Sequence, residues 1–356
     1  MKHTVRIVLA ALLLCGFGTV AAQELKKVTV GAPSPWSPIS AAVSFGVELG
    51  FFAAEGIQPE LLTFQGSSVL VPQVANKSVT FALVNPDVLV VALDKKEPYP
   101  VKFFYNAYRG NVFEFVVKEE SAITRLEDLK GQKLGVGAMT WGNIPLSKAV
   151  LARAGVRWQR DVEVLPVGMG PTAWQRLQSG QVAALNLFMQ EHELMALSGV
   201  KLRRLPTPDA YQRNFGAGFI AHVDTIRDDP KLVSGFGRAR AKSEVACMAN
   251  VERCVRAWLL ANPALRPPPA EEAAWIERYV HLMKMNFTVT NKFWPDEPKL
   301  WGSYTPASWR AVVAMMQEGG QIGDPNLNPD QLYTDAFVQE INRFDRVAVE
   351  NVARAR

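Results

Sequence analysis

Histidine and cysteine are scarce in this chain: 4 histidines and 3 cysteines among 356 residues. No His-Glu-x-x-His pair occurs, so a metal-assisted hydrolase of that type is not indicated. No Gly-x-x-x-x-Gly-Lys-Ser/Thr loop is present, which excludes a phosphate cradle of the ATPase kind. Basic tracts and nucleic-acid motifs are absent, and the formal charge of +5 is too small to imply a polyanionic partner. No solenoid repeat is visible. Beyond the first residues no long apolar run occurs, so nothing later in the chain reads as a membrane span.

The one long apolar run follows a basic start. Lys2, His3 and Arg6 make the basic start, Val5–Val20 is almost wholly apolar, and Val20-Ala21-Ala22 has the small residues of a cleavage site. The run is shorter than the roughly 20 residues of a spanning helix. Residues 1–22 therefore read as a cleaved signal peptide, with Gln23 as the new N-terminus and a destination outside the cytoplasm. Cys15 follows bulky Leu14, which disfavours a lipid anchor. Loss of Lys2 and Arg6 lowers the charge from +5 to +3 (5 − 2).

Only Cys247 and Cys254 then remain. Seven positions apart on an unbroken helix they stand roughly 10 Å apart, too far to bridge. Asn250 between them offers a break, because Asn ends helices in the left-handed conformation and starts turns. The expectation is a disulfide closing a short loop; two free buried thiols are the alternative.

What the sequence has in abundance is apolar runs that stop at Gly, Asn, Pro or Ser and lead into helical patterns. Such joints follow Val28–Ala32, Ile57–Phe64, Thr80–Val84, Lys133–Gly137 and Val162–Val167. The helical patterns are Ile39–Leu49, Val69–Ala75, Asp87–Leu93, Ile144–Ala154, Thr172–Gln178 and Glu191–Leu197. Val101–Tyr108, Val112–Val117, Val182–Leu187, Lys201–Leu205 and Gly218–His222 complete the strands. Thr124 to Glu127 reads as a capping box. The rest is mainly helical, interrupted by Arg266-Pro-Pro-Pro269. The expectation is an α/β protein with two mostly parallel sheets in two lobes. In such sheets ligands sit at the carboxyl ends of strands, near helix N-termini.

Glu48-Leu-Gly-Phe-Phe-Ala-Ala-Glu-Gly-Ile, Gln73 to Asp87, Leu126-Glu-Asp-Leu-Lys-Gly-Gln-Lys-Leu-Gly-Val, Leu177-Gln-Ser-Gly-Gln-Val-Ala-Ala-Leu and Leu332 to Asn342 carry a resemblance. In order and spacing they resemble the periplasmic solute-binding proteins of ABC importers, in the branch with nitrate, taurine, aliphatic-sulfonate and thiamine-pyrimidine binders. The resemblance implies a type II periplasmic-binding-protein fold. In it two αβ lobes are joined by a two-strand hinge, with a helical C-terminal extension. Residues 23–117 form the first part of lobe 1, 118–216 form lobe 2, and 217–356 return to lobe 1 and the C-terminal helices. The chain is expected to leave lobe 1 near Val117–Ser121 and to return near Asn214–Gly218.

The implied activity is capture of a small molecule for a permease in the inner membrane, with no cofactor, no catalysis and a monomeric chain. A sensory adaptor for a receptor is an alternative. So is an enzyme like the thiamine-pyrimidine synthases of the same fold, although their Cys-rich segment is absent and only His192, His222 and His281 remain after cleavage.

Carried over joint by joint, the resemblance points to Ser34, Trp36, Ser37, Gln65, Gly66, Ser67, Asn85 and Asp87 in the first lobe. In the second it points to Thr140, Trp141, Gly142, Gly168, Met169, Gly170, Asn186, Phe188 and Gln190, with Tyr105, Asn106 and Arg109 near the crossover. Serine, threonine and amide groups supply directed hydrogen bonds, and Trp and Phe supply flat walls. Turn chemistry alone also explains many of these glycines and serines. Several relatives have Trp-Asp where this chain has Phe188-Met189, and an acid where it has Ala183, which removes a counter-charge for a cation. Helix N-termini aimed inward favour an anion, and Arg109 is a possible partner for it unless it is a solvated turn residue. The expected ligand is a small organic anion or a neutral heteroaromatic molecule.

Overall fold

The computed structural model describes residues 24–295 and 297–355; the expected signal peptide lies outside them. Ten strands form in chain order: β1 Lys26–Ala32, β2 Ile57–Thr63, β3 Phe81–Val84, β4 Val101–Tyr108, β5 Phe113–Lys118, β6 Lys133–Val136, β7 Glu163–Pro166, β8 Ala184–Phe188, β9 Leu202–Arg204 and β10 Ala217–His222. They make two five-stranded sheets, ordered β2-β1-β3-β10-β4 and β7-β6-β8-β5-β9. Each sheet has one reversed strand. β10 runs antiparallel to both β3 and β4, and β5 antiparallel to both β8 and β9. Those are the strands that enter each sheet from the other lobe.

β5 is thus a strand of the second sheet, which corrects the expected boundary at residue 117. The chain leaves the first lobe at residues 109–112, directly after β4, and returns at 214–216. The two crossovers bond to each other: Gly216 N–H donates to the Tyr108 carbonyl at 2.7 Å, and Asn111 N–H to the Gln212 carbonyl at 3.1 Å. The acid that closes the turn at Thr124 is Asp128 rather than Glu127, accepting from the Thr124 and Arg125 N–H groups.

Hydrophobic side chains explain why the lobes are solid. Phe81, Phe104, Phe219 and Phe236 interlock beneath the first sheet with ring centroids 4.4–6.2 Å apart. Each such buried ring contributes up to about 3 kcal/mol. Leu134 and Val136 on one face of the second sheet, and Leu185 and Leu187 on the other, are fully buried. The C-terminal helices touch both lobes. Helices Pro230–Ala249 and Val251–Ala261 pack on Ala41–Glu48 in the first lobe, whereas Pro306–Glu318 packs on Ile144–Arg153 in the second.

Cys247 and Cys254 are joined by a disulfide, Cα atoms 5.1 Å apart. The helix breaks at Asn250 as the two cysteines require, but with φ −148° and ψ 81° rather than in the left-handed conformation. The Asn250 side chain then caps the next helix by accepting from Arg253 N–H at 3.1 Å. Among the described residues no helix is long and apolar enough to cross a membrane.

Candidate functional site

The strand ends of the two sheets face each other across a cleft. β1 runs into Ser34, Pro35 and Ser40; β3 ends at Asn85; β4 ends at Tyr108; the crossover supplies Val112 and Phe113. From the second lobe come Trp141 and Gly142 after β6, and Phe188 at the end of β8. These residues surround about 570 Å³ of space, partly open to solvent. A second chamber shares Ser34, Pro35, Ser40, Tyr108, Val112 and Phe188, and adds Ser37, Ile39, Met169, Gln190 and Glu191.

One wall is aromatic. The Phe113, Trp141 and Phe188 rings form a triangle with centroids 5.8, 4.7 and 4.8 Å apart. Burial pushes the Tyr108 phenol up to about 12, so it stays protonated and offers a hydrogen bond. Glu191 carries the only formal charge in the lining of the two chambers. Its carboxylate accepts from Gly170 N–H at 2.7 Å. Burial raises its pKa, and the Gly170 hydrogen bond opposes that rise.

The lobes meet at the cleft rim. Thr140 Oγ1 donates to the Gln65 carbonyl at 2.5 Å, and Ser68 N–H to the Thr140 carbonyl at 3.3 Å. Gly66 sits at φ +106°, and a Cβ there would fall 2.2 Å from the Thr140 oxygen. Asp87 spans the lobes more deeply. It begins helix Asp87–Asp94 in the first lobe and accepts from Leu146 N–H, in the first turn of Ile144–Arg153, at 3.0 Å.

Of the expected residues, Ser34, Ser37, Asn85, Trp141, Gly142, Met169, Phe188 and Gln190 line the two chambers. Gln65, Gly66 and Thr140 make the rim contact. Gly168 and Gly170 take positive φ values, 74° and 63°, in the turn beside Met169.

The others lie elsewhere. The Trp36 indole N–H donates to the Leu62 carbonyl at 3.0 Å and packs on the first lobe's core. Ser67 is wholly buried and holds the Asn85 N–H at 3.2 Å. Asn186 is equally buried, in a polar cluster with Asn143 and Ser147. Tyr105 and Asn106 lie beneath the C-terminal segment, where Tyr304 Oη donates to the Tyr105 carbonyl and Asn106 Nδ2 to the Ser303 carbonyl.

Arg109 is neither a solvated turn residue nor part of the cleft lining. It is 2 % exposed, pairs with Glu297 at 3.1 Å, donates to the Leu300 carbonyl and Ser303 Oγ, and lies 4.0 Å from the Phe293 ring centre.

Sequence reasoning misses Pro33, Pro35, Ser40, Leu83, Tyr108, Val112, Phe113 and Glu191. For Tyr108 and Phe113 a signal exists: aromatics flank the Arg109-Gly-Asn crossover on both sides. His192 contributes no metal site. It is buried beside Glu114 at 3.4 Å, and burial lowers its pKa. Among the described residues no group of three metal-binding side chains gathers.

The comparisons with known proteins agree with this architecture. A riboflavin-binding protein, RibY, of Chloroflexus aurantiacus is 25 % identical over 296 residues, covering 81 % of this chain and 79 % of that protein. A protein of Bordetella bronchiseptica RB50 superposes with a TM-score of 0.69 at 17 % identity, covering 90 % of this chain and 98 % of the other. The alkanesulfonate-binding protein SsuA of Xanthomonas axonopodis pv. citri, bound to MOPS, gives 0.62 at 13 %, covering 86 % and 98 %. The fold is therefore that of the periplasmic binding proteins. Residues 38–253, more than half of the chain, match the family model described as NMT1/THI5 like, and the chain belongs to that family.

Proposed function

We propose that this chain is the periplasmic solute-binding subunit of an ABC importer, and that it captures a flat, uncharged heteroaromatic molecule between its lobes. The observation that carries this reading is the aromatic triangle of Phe113, Trp141 and Phe188 in a lining that holds no cation. Rings of this kind stack on a planar ligand, while Ser34, Ser40, Asn85 and Tyr108 supply directed hydrogen bonds.

The organic-anion half of the sequence expectation loses its support here. Arg109 is bound to Glu297, and four of the inward helix N-termini are already met by acids, while those of Ala41–Glu48 and Ser67–Ala75 carry none. Asp87 sits on the first turns of Asp87–Asp94 and Ile144–Arg153. Glu191 sits on the first turn of Met189–Leu197 and at the start of Pro171–Gln178. The N–H groups that would receive an anion at these four helix starts are thus already taken by the protein's own carboxyl groups. The RibY relative is named for a neutral tricyclic heteroaromatic, which fits the aromatic wall better than the sulfonate in SsuA does.

Capture proceeds by closure. The Thr140–Gln65 and Ser68–Thr140 hydrogen bonds shut the cleft at its rim, and Asp87–Leu146 joins the lobes more deeply. The closed pair is then what a permease recognises. No catalysis is part of this reading.

A thermal-shift and tryptophan-fluorescence screen of the mature protein tests this, using riboflavin, lumichrome, pyrimidines, alkanesulfonates and nitrate. Selective, saturable stabilisation by the flat heteroaromatics is expected. Stabilisation by sulfonates or nitrate alone refutes it.

A further inference from the structure

The two chambers of the cleft differ in chemistry. At one end stand Leu83, Phe113 and Trp141, at the other Ser37, Gln190 and Glu191, with Tyr108 and Phe188 shared between them. Both polar anchors of the second end have fixed orientations. The Glu191 carboxylate accepts from Gly170 N–H. The Gln190 amide nitrogen donates to Asn286 on the C-terminal helix Glu272–Thr290, which leaves its oxygen as an acceptor. This end therefore presents acceptors and a carboxylate, and its lining contains no lysine or arginine.

We infer that the ligand is two-ended, a flat heteroaromatic ring carrying an uncharged, hydrogen-donating tail such as a polyol, and that Glu191 excludes analogues whose tail is anionic. The inference rests on the proposed function and assigns the second end of the same cleft. A hydroxyl-rich tail satisfies the Glu191 and Gln190 acceptors, which closure would otherwise leave short of donors. A phosphate or sulfonate tail brings a second negative charge into a partly desolvated chamber without a counter-charge, and like charges brought together there are strongly disfavoured. Glu191 also occupies the helix N-termini at which such a group would dock. Selectivity is then set by an acid already in place rather than by a missing base.

The test is isothermal titration at pH 8 with riboflavin, flavin mononucleotide and lumichrome. These share a flat ring system and differ in a polyol tail, a phosphorylated tail and no tail. Wild type should bind riboflavin at least tenfold more tightly than the mononucleotide. Glu191→Gln keeps an oxygen for Gly170 N–H and should narrow that ratio by about fivefold or more. Glu193→Gln, which perturbs the pairs with His281 and Arg204 outside the lining, should leave the ratio unchanged.

Equal wild-type affinities for riboflavin and the mononucleotide overturn the inference even if the glutamine variant does not fold. So does a ratio that Glu191→Gln leaves untouched. If lumichrome binds as tightly as riboflavin, the tail chamber contributes nothing and the inference falls while the proposed function stands. If no flat ring binds, both fall together.

Discussion

Asp87 gives the sharpest physical test of the closed arrangement. Its side chain is 2 % exposed, no cation pairs with it, and its oxygen caps a helix of the opposite lobe. Burial raises its pKa from an ordinary 3.8 to about 7, against the pull of two backbone hydrogen bonds. The sign follows from linkage. Below about pH 3.8 the group is neutral in both the folded and unfolded chain, and its contribution to stability is fully present. Between about pH 3.8 and 7 the unfolded chain ionises first, and that contribution is progressively lost. A shift of about three units corresponds to roughly 4 kcal/mol as an upper bound.

Asp87→Asn removes the ionisation and keeps an oxygen for Leu146 N–H. The variant should be more stable than wild type by roughly 2–4 kcal/mol at pH 8, about 5 °C in melting temperature for a chain of this size. The advantage should shrink steadily as pH falls and nearly vanish at pH 4. Thermal melts of both proteins from pH 4 to 8.5 read this directly. An advantage independent of pH, or an asparagine variant less stable at pH 8, would show that the two helix N-termini hold Asp87 ionised and that desolvation is the smaller effect.

Four other outcomes follow from the geometry. Cys247→Ala with Cys254→Ala should cost roughly 2 kcal/mol, the loop-closure value for so short a loop; equal melting of oxidised and reduced wild type would contradict it. Gly142→Ala places a Cβ 2.6 Å from Ser67 Oγ and 2.7 Å from Asn85 Oδ1, so the lobes should stand further apart. Small-angle scattering should show a larger radius of gyration, and affinity should fall at least tenfold, whereas unchanged values refute the close approach. Phe188→Ala opens the aromatic triangle and should weaken a stacked ligand by about 1–3 kcal/mol, and full affinity would move the ring elsewhere. Arg109→Met strands Glu297 without its partner and should destabilise the fold by about 3–5 kcal/mol while the folded fraction keeps its affinity; a selective loss of binding would return Arg109 to the site.

The order of strands and helices is legible in the sequence because each element carries its own period and its own stop signal. Partner choice is not. The run at Phe113–Lys118 says that it is a buried strand, but nothing local says that it pairs with Leu185–Phe188 rather than with β4. The crossing is consequently placed one strand too late. Arg109 fails for a related reason: its counter-charge lies 188 residues away, and a turn arginine with no near acid reads as solvated or ligand-facing. Asp87 and Glu191 are instructive in the opposite sense. Each is visible as an acid in the first turn of its own helix, yet each also reaches a second helix start, Leu146 or Gly170, that only the folded chain brings near. A count of inward helix N-termini predicts attraction for an anion. A count of those without an acid predicts less, because the protein's own carboxyl groups already occupy four of them. The sign of ligand selection in this fold therefore turns on which helix starts are already filled, and long-range packing of acids against helix ends decides that.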